Sequence, residues 1–144
     1  MQTITVDSLK RSDLDELARI DGEWDAETIL ECASTSATRT MVVRFGGQIA
    51  GYLIMRFGPR RLVILRMCAE HDDAAAGLLA TAKDAITVAN RKRRARQEQE
   101  LVGLSTVLDL DDSNSNDVLR ASGFRAADIC RTDDSVQMTW IRGD

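Results

Sequence analysis

Apolar and polar positions along the chain alternate in some stretches and repeat with helical period in others. Thr3 to Val6 alternates and is rich in β-branched residues, which predicts a first strand. Ser12 can cap a helix, with Asp15 three positions on as an imperfect capping box. Leu14, Leu17, Ala18 and Ile20 supply that helix's apolar stripe, and Gly22 ends it. Asp25 caps a second helix with the apolar face Ile29, Leu30 and Ala33, which stops at Ser34-Thr35-Ser36. Arg39 to Phe45 and Gln48 to Phe57 read as strands around Gly46-Gly47, where a tight hairpin turn needs positive φ. Gly58-Pro59-Arg60 turns the chain into a further strand, Arg61 to Met67, so these strands form an antiparallel meander.

A long helix is predicted from near Asp72, because Leu78, Leu79, Ala82, Ala85, Ile86 and Ala89 recur at helical spacing. Asp72 and Asp73 stand at its positive end and Arg91 to Arg96 at its negative end, both favourable for the helix dipole. Leu101 to Leu108 is the next strand, and Asp109 to Asn116 reads as a polar loop. Val118 to Ser122 is a short helix closed by Gly123. Ala126 to Arg131 and Val136 to Arg142 are final strands, joined near Asp133-Asp134. The pattern predicts an α+β domain with a mixed, mainly antiparallel twisted sheet and helices on both faces.

Length adds that residues 1–144 suit a single domain, since one domain takes roughly 100–200 residues. A net charge of −4 argues against polyanion binding by the whole surface. Aromatics are 4% of the chain, so the core is expected to be aliphatic. The run Ala74 to Ala80 is far shorter than the roughly 20 apolar residues of a membrane span, which predicts no membrane association. The start has no basic region or apolar signal core. Cys32, Cys68 and Cys130 are odd in number and far apart, which suits free thiols in a reducing cytoplasm. His71 is the single histidine, so no zinc or other metal site is expected.

The order of elements, with Asp13-Leu14 after the first strand and Trp24 before the second helix, resembles the GNAT superfamily of acetyl-CoA-dependent N-acetyltransferases. Gly47-Gln48-Ile49-Ala50-Gly51-Tyr52 is similar to that family's hairpin motif, and Leu119 to Phe124 partly matches its "L-Y-x-x-x-G-F" ending. The chain looks closest to the type that acetylates a ribosomal-protein alanine. The resemblance implies a GNAT-like fold and transfer of acetyl from acetyl-CoA to a protein N-terminus or small amine.

It also implies that acetyl-CoA lies along Met67 and Cys68, with its pyrophosphate at the start of the long helix. There the family's glycine-rich loop falls on Asp72 to Gly77, so Ala75, Ala76, Gly77 and Leu78 are the implied cofactor residues. Ala75 replaces the first glycine, Gly77 keeps the second, and Asp72 and Asp73 replace basic or amide residues. A carboxylate about 4 Å from a phosphate costs roughly 4 kcal/mol at an effective dielectric of 20. The family's asparagine falls on Asp112, its proton-donating tyrosine on Leu119 and its glutamate base on Val107. Neither leucine nor valine transfers protons.

Glu70 and His71, in the loop after the strand, are therefore the candidate acid/base pair, or else two solvated loop residues. Asp109 offers a further base through water, and a strand amide near Met67 an oxyanion donor. Cys68 reads as an acyl-accepting thiol or, preferably, a buried structural one. Trp24 either lines an acceptor entrance or anchors a helix, and Trp140 belongs to the core or an oligomer contact. Arg91 to Arg96 is preferably a solvated helix face, or else a contact for nucleic acid, a ribosomal surface or an acidic partner. The alternative function is a catalytically silent GNAT-like domain retained for binding or homo-oligomerisation.

Overall fold

The computed structural model describes residues 4–109, 113–127 and 135–142. Strands β1 (Ile4–Ser8), β2 (Thr38–Phe45), β3 (Gln48–Phe57), β4 (Arg61–Ala69), β5 (Gly103–Asp109), β6 (Arg125–Ala127) and β7 (Ser135–Ile141) form one sheet, ordered β1-β2-β3-β4-β5-β7-β6. The helices are α1 (Leu14–Asp21), α2 (Ala26–Ala33), α3 (Asp72–Ala95) and α4 (Ser113–Ala121). Pairing is antiparallel in β1–β2, β2–β3, β5–β7 and β6–β7, and parallel between β4 and β5. This is the mixed α+β architecture that the pattern predicts. The chain divides into two compact units, Met1–Arg56 with Leu65–Thr81 and Phe57–Ile64 with Ala82–Asp144.

The first unit is built on β2 and β3, which are buried on both faces. Val42 and Val43 point to opposite sides, as successive strand residues must, and both are fully buried. On one side Val42, Tyr52 and Ile54 pack with Leu14, Leu17 and Ile29 of α1 and α2. On the other side Val43 faces α3 near Gly77. The hairpin turn uses Gly46 at φ 57° and Gly47 at φ 87°. Gly51 serves close approach instead, because an added Cβ would lie 2.5 Å from the Cys68 carbonyl oxygen. The Glu70 amide donates to the Ala50 carbonyl at 2.8 Å, which fixes the end of β4 against β3.

The second unit carries β5 between the first half of β4 and β7. Its register runs from Arg61 opposite Gly103 to Ile64 opposite Thr106. Asn90 of α3 is fully buried and bonds both backbone groups of Leu101, donating from Nδ2 at 3.0 Å and accepting at Oδ1 at 2.7 Å. It thereby acts as one rung of a ladder for a residue outside any strand. Lys83 donates to the Ser122 carbonyl and sits 4.9 Å from the Trp140 ring centroid, beside the Gly123 turn.

Several boundaries differ from the sequence reading. Ser12 lies within a single 3-10 turn (Arg11–Asp13), and the capping carboxylate is Asp13, which accepts from the Lys10 amide at 3.1 Å. Asp13 also receives Arg44 at 2.8 Å, so its side chain is committed to that buried pair. β4 continues beyond Met67 to Ala69. The expected polar loop is already helical from Ser113, as its Ser and Asn residues form the first turns of α4. Asp112, and residues 128–134 with Cys130 and the expected turn at Asp133-Asp134, lie outside the described residues.

Candidate functional site

β4 runs into α3 through Glu70 and His71 alone. The Glu70 side chain is 41% exposed and accepts from Arg19 at 3.0 Å. Arg19 also pairs with Glu16 on its own helix. His71 is exposed and stacks on Phe45 with ring centroids 4.5 Å apart. Its Nδ1 accepts the Ala74 amide at 3.3 Å, and its carbonyl accepts the Ala75 amide at 3.2 Å. His71 is thus the N-cap of α3. The amides of Asp72 and Asp73 have no acceptor among the described residues. Both side chains are exposed and flank this amide-rich, dipole-positive end.

The cofactor residues implied by sequence divide by burial. Met67 and Cys68 lie on the last part of β4 and are half-buried. Ala75 and Leu78 are buried, and Ala76 is exposed. An added Cβ on Gly77 would meet Val43 at 3.8 Å and Ile4 at 4.0 Å, ordinary packing distances toward the sheet. Neither a positive φ nor a close approach therefore requires glycine at this position. Leu119, at the family's tyrosine position, is buried, whereas Val107, at the glutamate position, is 69% exposed.

The most polar interior of this unit is a network that the sequence reading did not single out. The Asp21 side chain is fully buried. Its Oδ1 accepts Arg66 Nη2 at 2.6 Å and the amides of Trp24 at 2.9 Å and Glu23 at 3.1 Å. Its Oδ2 accepts Arg66 Nε at 3.0 Å, Cys68 Sγ at 3.2 Å and the Tyr52 hydroxyl. Burial alone would raise the Asp21 pKa, but Arg66, Tyr52, the Trp24 amide and Cys68 together hold it well below the usual carboxylate range. Burial, then Asp21, pushes the Cys68 thiol up to about 12. The thiol is a donor at neutral pH, which supports the structural rather than the nucleophilic reading. Trp24 packs on the core and lies 4.7 Å above the Arg66 guanidinium.

Two sequence signals could have revealed this network. Asp21 puts a negative charge in the last turn of a helix, against the dipole, and Arg66 interrupts the apolar strand Leu62-Val63-Ile64-Leu65. Each needs a partner, and each supplies the other's.

No protein-family model and no curated protein matches this sequence. Solved structures do. The PaiA N-acetyltransferase of Thermoplasma acidophilum, in complex with coenzyme A, superposes with TM-score 0.72 at 14% identity over 96% of this chain and 99% of that one. The SpeG spermidine N-acetyltransferase of Vibrio cholerae gives TM-score 0.71 at 15% identity over 96% and 93%. The ribosomal-protein-S18-alanine N-acetyltransferase of Escherichia coli gives 0.68 at 14% identity over 96% and 94%. The chain has the GNAT fold. No helix among the described residues is long and apolar enough to cross a membrane.

Proposed function

We propose that this protein is an N-acetyltransferase of GNAT type, moving acetyl from acetyl-CoA to a protein N-terminus or a small amine. The observation that carries the reading is the β4–α3 junction, set in a fold shared almost end to end with N-acetyltransferases of different acceptors. A half-buried strand end there leads through Glu70 and His71 to helix amides without an acceptor among the described residues.

The backbone at this junction fits a pyrophosphate, and the Asp72 and Asp73 amides would hold it. The side chains of residues 72–78 bring no positive charge. Because Asp72 and Asp73 are exposed, a water-like dielectric applies, and each carboxylate near 4 Å costs about 1 kcal/mol rather than about 4. Binding is therefore weakened about fivefold per carboxylate, not abolished. The backbone of Met67 and Cys68 would flank the acyl arm, and the Met67 amide would meet the developing oxyanion. Ala76 is the exposed helix residue available to the cofactor; Ala75, Gly77 and Leu78 support it from the packed side.

Acetyl-CoA supplies an activated thioester, and the chain's residues must manage protons. Glu70 takes one from the acceptor ammonium, directly or through water. With Nδ1 engaged by Ala74, Nε2 is the ring nitrogen of His71 left for a ligand. The test is thiol release from acetyl-CoA in the presence of N-terminal peptides and polyamines. Acceptor-dependent release that falls at least about tenfold in Glu70→Gln supports the reading. Release no faster than hydrolysis with every acceptor contradicts it.

A further inference from the structure

The basic run Arg91 to Arg96 is not one uniform face. Arg93 is committed to the fold, donating to the carbonyls of Pro59 at 2.9 Å, Gln99 at 3.0 Å and Gly58 at 2.9 Å. Arg94 pairs with Glu100 at 2.6 Å. Arg91, Lys92 and Arg96 remain exposed, with no carboxylate partner among the described residues. Arg93's bonds to Gly58 and Pro59 bring the start of β4 to this end of the unit, and with it Arg60 and Arg61, which also lack such a partner. Arg142 arrives from β7, its amide bonded to the Val102 carbonyl at 2.8 Å. The Val102 amide in turn donates to the Arg60 carbonyl at 2.7 Å. Among the described residues, Glu100 already faces Arg94 and Arg142.

The helix dipole accounts for cations in the last turn of α3, but Arg60, Arg61 and Arg142 lie outside that helix. A chain of net charge −4 nonetheless places 8 of its 19 lysines and arginines here, Arg60, Arg61, Arg91 to Arg94, Arg96 and Arg142. We propose that this end of the second unit, centred on Arg60, Arg91, Lys92 and Arg96, binds the phosphate backbone of double-stranded RNA. The inference is independent of acetyl transfer. Arginine predominates, and its planar fork suits oxyanions. No aromatic side chain interleaves with the run, so bases are not read by stacking. Arg93 and Asn90 tie the surrounding backbone down, so the points from which the cations project are fixed. Cations projecting from a fixed backbone suit a rigid polyanion better than a flexible acidic peptide.

The experiment titrates the full chain against a fluorescent RNA duplex at several salt concentrations. Neutralising about four phosphates predicts a log–log salt slope of about −3 to −4. Replacing Arg60, Arg91, Lys92 and Arg96 by glutamine should cost at least about tenfold in affinity at physiological salt. The fold should survive with only a slightly lower melting temperature, because among the described residues none of the four holds a hydrogen bond or ion pair through its side chain, and only the favourable helix-dipole interaction of Arg91 and Lys92 is lost. Polyglutamate of matched charge should compete poorly. Absence of binding, full affinity in the quadruple variant, or polyglutamate competing as well as RNA would each overturn the proposal, the last in favour of an acidic protein partner.

Discussion

Asp21 and the pair Asp72–Asp73 are the same side chain in opposite surroundings. Asp21 is sealed, and every lone-pair direction meets a donor from Arg66, Tyr52, Cys68 or the following backbone. Asp72 and Asp73 stand in water beside amides that no group of the described chain accepts. The first arrangement leaves nothing for a ligand and fixes the α1–α2 connection onto β3 and β4. The second leaves its donors open, and the proposed function uses them. Conspicuous polarity inside the unit is structural, and the sparse polarity at its rim is the candidate site.

The largest way to break this contrast is to remove the buried carboxylate. Asp21→Ala leaves Arg66 only the exposed Glu23 at 3.4 Å and strips Tyr52 and Cys68 of their acceptor, so it should cost about 3–5 kcal/mol, seen as a melting temperature lower by more than about 8 °C. An unchanged melting temperature would show that the network does not hold the fold. Acid should act through the same group. Because the folded state holds the Asp21 carboxyl below its usual range, the stabilisation is complete above the ordinary carboxylate range near pH 4. It is lost progressively as the pH falls below that range. Wild-type stability should therefore drop more steeply than that of Asp21→Asn in urea unfolding below pH 4, and parallel profiles would contradict the assignment.

The rim should respond in the opposite sense. Asp72→Asn with Asp73→Asn removes charges that favour the helix dipole, lowering stability by about 0.3–1 kcal/mol each, while acetyl-CoA affinity rises about fivefold each. Cys68 should react with iodoacetamide much more slowly at pH 8 than a free thiol does, since its pKa stands near 12. Smallest of all, Gly77→Ala should stabilise the fold by about 0.5–1 kcal/mol, because the new methyl meets Val43 and Ile4 at ordinary distances. Loss of stability there would mean that α3 sits closer to the sheet than described.

The order of elements was legible because periodicity and turn residues act locally. Gly46-Gly47 marked the hairpin and Asp25 capped α2, accepting the Thr28 amide at 2.8 Å. The start of α4 was hidden because Ser, Asn and Asp favour loops and helix starts alike, and local composition does not separate the two. The sites were less legible than the elements, because partners distant in sequence decide them. Asp21 meets Arg66 across 45 positions, and Asn90 looks like an ordinary helix residue until Leu101 folds back onto it. The basic run likewise separated into structural and exposed cations only once Gly58 and Pro59 were seen against Arg93. The family resemblance located the β4–α3 junction, but its motif favoured Gly77, whose surroundings are those of a packing residue.

Calorimetric titration with acetyl-CoA, on the wild-type chain and on the Asp72→Asn/Asp73→Asn double variant, tests the central claim most directly. The account predicts weak, saturable binding to the wild type and clearly tighter binding to the variant, with desulfo-CoA behaving alike because the grip is on the pyrophosphate. No heat with either protein at millimolar ligand, or equal affinity for both, would contradict a cofactor site at the start of α3.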